Sequence, residues 1–150
     1  MKTNILLRFL AIIPLVAGFA ACQKNPSAPK ITLTEVGHEN GGKAEQGDDL
    51  HLEADIMAEG LIQRIHVEIH QENGSYEIEK SYTTGKYIGV KNTEFHEHVD
   101  IPADAPLGAY HLHLTVTDKE EQTATAKAHL EVIENDGIDD DEEEEHHHED

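Results

Sequence analysis

Tryptophan is absent from the 150 residues, cysteine occurs once, and aromatics are limited to three Phe and four Tyr beyond that. A single thiol excludes an intramolecular disulfide, so any domain this chain builds is held by its apolar core alone. Few aromatics leave little from which to make the stacking platforms of a glycan site. Positive charge is scarce as well: 11 Lys and Arg stand against 31 Asp and Glu, a net charge of −20. Nucleic acid and anionic head groups are poor partners for such a chain, because affinity for phosphates comes mainly from basic residues. Cations are its natural counterpart. Also missing are a Gly-x-Ser-x-Gly elbow, a phosphate-cradling glycine loop and a His-Glu-x-x-His helix. With no nucleophilic Cys either, the sequence reads as that of a protein that is not an enzyme.

The first 22 residues read as a processing signal. Lys2 and Arg8 give a positive start, Phe9 to Ala21 is almost wholly apolar, and small residues precede Cys22. The run is interrupted by Pro14 and falls short of the roughly 20 apolar residues that a spanning helix needs. Residues 1–21 are therefore expected to be a cleaved signal peptide. Phe19-Ala20-Ala21-Cys22 resembles the lipobox of bacterial lipoproteins, which implies a lipid on the Cys22 sulfur and a membrane anchor. Lipidation would also remove the oxidation liability of a lone thiol. Losing Lys2 and Arg8 takes the net charge from −20 to −22. Residues 22–29, with Asn, two Pro and Ser, read as a tether. The residues after Cys22 are Gln-Lys-Asn-Pro, without the acidic cluster that resembles a surface-export signal, which favours the periplasmic face of the outer membrane.

At the other end, residues 134–150 hold 11 acidic residues, three His and one large apolar residue, Ile138. Such a tail cannot bury enough surface to offset its ordering entropy and is expected to be disordered. Residues 30–133 remain for one domain, and their apolar period is 2. Strands are expected over 31–36, 50–58, 62–70, 76–82, 93–101, 108–117 and 123–133, separated by turn-rich pieces such as 37–47, 72–75 and 102–107. Seven short strands and no helix predict an all-β, seven-stranded immunoglobulin-like sandwich. Asp104-Ala-Pro-Leu-Gly-Ala-Tyr110 resembles a tyrosine corner, in which a Tyr hydroxyl returns to backbone a few residues upstream. Leu112 then takes the place usually held by a disulfide cysteine. One strand alternates poorly: with Phe95 and Val99 inward, Glu97 faces inward too, which predicts a bulge or an exposed end there.

The Cys22 lipobox, "GDDLHLEADI", "IHVEIHQENG" and "FHEHVDIPADAPLGAYHLHLTVTD" together are similar to the Bacteroidota lipoproteins grouped as domain of unknown function 4625. The resemblance implies a lipoprotein with an immunoglobulin-like sandwich and carries no established activity with it.

Histidine is the residue in excess, with 12 in all and nine inside the predicted domain. His96-Glu97-His98 and His111-Leu112-His113 have the spacing that puts two imidazoles on one face of a strand, about 6.6 Å apart. They can then converge on one ion, with a third ligand from the neighbouring strand. His66 and His70 lie about 13 Å apart along a strand and must look to other partners. In an immunoglobulin-like topology, the start of the second strand (His51) lies near the end of the fifth (His98, Asp100). The end of the third (His70) meets the start of the sixth (His111, His113), flanked by His129 of the seventh. Both groups fall at one pole, with His38 nearby. The metal candidates are thus His70, His111, His113, His129, His51, His96, His98 and Asp100, with His146, His147 and His148 of the tail. Zinc suits imidazole and carboxylate; copper and nickel follow closely. Outward histidines also serve as plain polar filler. The sequence therefore leaves two readings open: an anchored binder of divalent cations, zinc or copper first, and a structural or adhesion module that holds an envelope protein or glycan.

Overall fold

A computed structural model of the chain describes residues 27–135. The strands are β1 (Lys30–Val36), β2 (Lys43–Glu45), β3 (Asp49–Met57), β4 (Ile62–Gln71), β5 (Glu77–Tyr82), β6 (Asn92–Asp100), β7 (Gly108–Asp118) and β8 (Thr123–Ile133). They form two sheets, of order β1-β3-β6 and β2-β8-β7-β4-β5. Every pairing is antiparallel except that of β2 with β8. The architecture is the immunoglobulin-like sandwich that the alternation predicts. Leu50, Leu52, Ala54 and Ile56 of β3 point inward and are buried, while His51, Glu53 and Asp55 point out. Tyr110, Leu112, Leu114 and Val116 of β7 do the same from the facing sheet. The two inner faces interdigitate into one core.

To the seven expected strands the structure adds an eighth. The segment 37–47, read as a turn, holds a 3-10 turn (His38–Asn40) and β2, whose Ala44 is the inward residue. A three-residue strand with one apolar position is too short for an alternation to reveal it. The chain leaves β1 in one sheet and enters β2 in the other, and Gly37 makes that crossing possible. Its φ is +73°, and a Cβ there would meet the Lys43 carbonyl oxygen at 2.5 Å.

The tyrosine corner is present. The Tyr110 hydroxyl donates to the Pro106 carbonyl at 2.7 Å, and Leu112 is fully buried. Of the bulge or exposed end expected in the fifth predicted strand, the bulge is absent: β6 pairs with β3 without interruption from Asn92 to Asp100. Register shifts fall instead between Leu33 and Glu35 of β1 and between Ile62 and Arg64 of β4. Glu97 does face inward and is half-buried. The Tyr87 hydroxyl lies 2.7 Å from both the Glu97 carboxylate and the His96 carbonyl, and Lys86 Nζ is 3.8 Å from Glu97. Burial, and then the Glu97 charge, raise the neighbouring Tyr82 hydroxyl well above its ordinary pKa.

Residues 1–21 with their expected signal peptide, the Cys22 lipidation position, and the tail histidines His146, His147 and His148 lie outside the described residues. Among the described residues no helix is long and apolar enough to cross a membrane.

Candidate metal centres

The outward faces of the two sheets carry the histidines, and strand register decides which of them meet. On the three-stranded sheet His51 of β3 stands directly opposite His98 of β6, and Glu53 opposite His96. Ring centroids of His51 lie 4.8 Å from His96 and 5.0 Å from His98, both stacked. One nitrogen from each of His51, His96 and His98 can be chosen so that all three lie within 4.8 Å of one another. Carboxylates are interleaved with these rings. Glu53 Oε1 is 3.2 Å from both His51 Nε2 and His96 Nδ1, and Asp49 Oδ1 is 2.6 Å from His98 Nδ1. The β1 bulge turns Glu35 to the same face, where its Oε1 lies 3.7 Å from His51 Nδ1. Donors of a tetrahedral zinc site are about 3.4 Å apart, from ligand distances near 2.0–2.1 Å. Rotation of the exposed His96 and His98 side chains would be needed to close that gap. An open depression of about 420 Å³ beside the cluster is lined in part by His38, Asp48, Asp49, His51 and His98.

The five-stranded sheet carries the second group as two rows across its outer face. One row runs Glu79, Glu68, His113, Lys127 and the next Glu77, His70, His111, His129, from β5 through β4 and β7 to β8. Glu68 Oε1 lies 3.9 Å from His70 Nε2 and 3.8 Å from His113 Nδ1, and Glu68, His70 and His113 form a mutual donor set. The His111 and His129 rings lie 5.0 Å apart between centroids, tilted by 57°, and Glu72 approaches His111 at 4.0 Å. Burial, and then the Lys127 ammonium, lower the pKa of His113, against the opposing pull of Glu68. A neutral imidazole is the form that binds metal.

Residues 20–133 match the model of a family described as a domain of unknown function, DUF4625. The chain belongs to the DUF4625 family. No curated protein matches it. Among solved structures, the DUF4625 chain is similar to OgpA from Akkermansia muciniphila, solved in its wild-type form and as a catalytically inactive form with an O-glycopeptide substrate. For each the TM-score is 0.51 at 11% identity, over 70% of this chain and 29% of that one. It is also similar to a DUF4466 family protein from Parabacteroides merdae, with a TM-score of 0.49 at 11% identity over 68% of this chain and 43% of that one. The chain thus spans less than a third of the OgpA chains it matches, and the likeness is one of fold.

In this DUF4625 member the histidines expected to meet do so in two groups, His51 with His96 and His98, and His70 with His111, His113 and His129. The two groups lie on the outer faces of different sheets, so no ion can be shared between them. Asp100 stands opposite Asp49 in the ladder, and it is Asp49 whose carboxylate reaches His98. His66 turns to Ser81 Oγ at 2.8 Å and Glu79 Oε1 at 3.5 Å. Glu53, Glu68 and Glu35 are not among the residues that the histidine spacing marks. For the first two a signal existed: each stands two residues from a strand histidine, and hence on its face. Glu35 had none, because it reaches that face through a bulge.

Proposed function

We propose that this protein is a non-enzymatic envelope lipoprotein, anchored through Cys22 to the periplasmic face of the outer membrane, that binds divalent zinc or copper through its exposed imidazoles. The observation that carries the metal reading is the convergence of His51, His96 and His98 from two adjacent strands, with one nitrogen from each inside a 4.8 Å set and Glu53 beside two of them. Three imidazoles and a carboxylate are a donor set suited to zinc and to copper(II). The net charge of −20 favours cation capture over long range. The anchor reading rests on the apolar run Phe9 to Ala21 and its ending at Cys22.

Calorimetry on the full-length chain in detergent tests the metal reading, with His146, His147 and His148 changed to Ala so that tail uptake is removed. Saturable Zn²⁺ binding is expected at pH 7.5 and much weaker binding at pH 5.5, because free imidazole protonates near pH 6.5. Changing His51, His96 and His98 to Ala should abolish that site. No saturable uptake of Zn²⁺ or Cu²⁺ at pH 7.5 removes the metal reading and leaves the partner-binding module. The anchor is tested separately, since Cys22→Ala should abolish incorporation of labelled fatty acid.

A further inference from the structure

The two histidine groups differ in what surrounds them. On the three-stranded sheet the imidazoles are enclosed by Glu35, Glu53 and Asp49, each within 4.0 Å of a ring nitrogen. An ion held by His51, His96 and His98 would have the Glu53 carboxylate beside two of its ligands as a ready further donor. Three carboxylates also outweigh the charge of a divalent cation. On the five-stranded sheet the mutual donors are one carboxylate, Glu68, and two imidazoles, His70 and His113. Three donors from two neighbouring strands leave a divalent ion with at least one coordination position free. The sheet beneath is closed by the buried side chains of Val67, Ile69, Leu112 and Leu114. A free position on that ion therefore faces outward.

What it faces is a depression of about 450 Å³ lined by His70, His111, His113, Lys127, Ala128 and His129, with no carboxylate in the lining. Glu77 and Glu79 stand on β5, beyond Glu68 and His70, at the far side of the ladder from Lys127. Glu72 approaches from the strand end, 4.0 Å from His111. The face thus runs from acidic on the β5 side to basic on the β8 side, and the depression lies on the basic side. Its lining supplies one ammonium and several N–H donors. The chain's overall negative charge opposes an anion at long range, but that field is screened beyond about 8 Å at physiological ionic strength.

Resting on the metal reading above, we propose that Glu68, His70 and His113 form an open metal site whose bound ion takes a small monovalent anion of the carboxylate class, held from the side by Lys127 and the His111–His129 pair. The site on the opposite sheet repels such a ligand. The difference follows from the charge of the surroundings: Glu45, Asp48 and Asp49 line the depression beside the three-stranded sheet, whereas the other lining holds Lys127 and no carboxylate.

The test uses Co²⁺, whose visible absorption reports its coordination shell, with acetate as the anion. In one full-length variant His51, His96, His98 and the three tail histidines are changed to Ala, leaving the five-stranded sheet. In the reciprocal variant Glu68→Gln, His70→Ala and His113→Ala, with the same tail changes, leave the other. Acetate should shift the Co²⁺ spectrum saturably in the first variant and not in the second. Adding Lys127→Met to the first should weaken acetate binding about 2- to 5-fold, the range expected of one exposed charge. Co²⁺ binding without an acetate response, an equal response from both variants, or Co²⁺ uptake by the three-stranded sheet alone overturns the proposal while leaving the metal reading intact. Uptake by neither overturns both. Should the multiple changes cost the β-sheet circular dichroism signal, the unsubstituted chain loaded with Co²⁺ must show the acetate response and lose it with Glu68→Gln alone, and retention of the response refutes the assignment.

Discussion

Removing one oxygen atom at Tyr110 tests how the loop between the two histidine-bearing sheets is held. Tyr110 is 1% exposed, and its hydroxyl spans four residues back to the Pro106 carbonyl at 2.7 Å. That bond fixes the connection from β6 to β7, and so the end of His98's strand and the start of His111's. In Tyr110→Phe the ring stays and packing is nearly conserved, so the loss is that of the hydrogen bond. A neutral bond contributes about 0.5–1.5 kcal/mol net, and an acceptor left buried without a partner costs about 1–3 kcal/mol. Pro106 is only half-buried, so water can partly replace the hydroxyl and the expected loss is about 1–2 kcal/mol. At about 4–8 °C per kcal/mol for a domain near this size, the melting temperature should fall by roughly 5–15 °C. Urea denaturation should show a lower midpoint with the slope unchanged, since the surface exposed on unfolding is the same. Thr117→Val is the counterpart: its Oγ1 is buried with no hydrogen-bond partner, so stability should hold or rise. A Tyr110→Phe midpoint equal to that of the unsubstituted chain would refute the corner as a stabilising element.

Two further outcomes are expected. Asp118, fully buried at the β7–β8 hairpin, accepts from the backbone N–H of Glu120 at 2.9 Å and of Gln122 at 2.8 Å; Asp118→Ala should cost about 2–4 kcal/mol and Asp118→Asn clearly less, and equal losses in denaturation would contradict this role for the carboxylate. His113, whose pKa is lowered in the fold by burial and then by Lys127, is protonated first in the unfolded chain, so its contribution is full above about pH 6.5 and is lost as pH falls below that value. The metal-free His113→Gln chain should therefore lose less stability between pH 7.5 and pH 5.5 than the unsubstituted chain, and an equal or larger loss would refute it.

The sandwich was legible because burying one face of a strand forces a period of 2, and β3 and β7 show that period without a break. The same rule set which histidines point outward, and sheet topology then placed His51 beside His98 and His70 beside His111. What stayed hidden depended on interactions without periodicity. β2 exists because Ala44 joins the core beside Val132 of β8, which a single small residue cannot announce. Glu97 looked like a flaw in the pattern until Tyr87, from a loop with no regular spacing, proved to be its partner. Asp49 rather than Asp100 reaches His98 because the contact runs diagonally across the ladder, a choice that rotamers make and residue order does not.

The short pairing of β2 with β8 has a mechanical consequence. The two strands run parallel, with Lys43, Ala44 and Glu45 opposite Glu131, Val132 and Ile133. Hydrogen bonds from Glu131 N to the Gly42 carbonyl and from Gln46 N to the Ile133 carbonyl extend the contact at both ends. If the chain is held ahead of β1 and pulled beyond β8, then once β1 has parted from β3 β2 is drawn backward along its own direction while β8 is drawn forward. The two strands then slide past one another in shear, and their hydrogen bonds share the load together instead of opening one at a time. Three residues that contribute little to the core thereby become a latch that bears the tension between the two ends of the domain after β1 has given way.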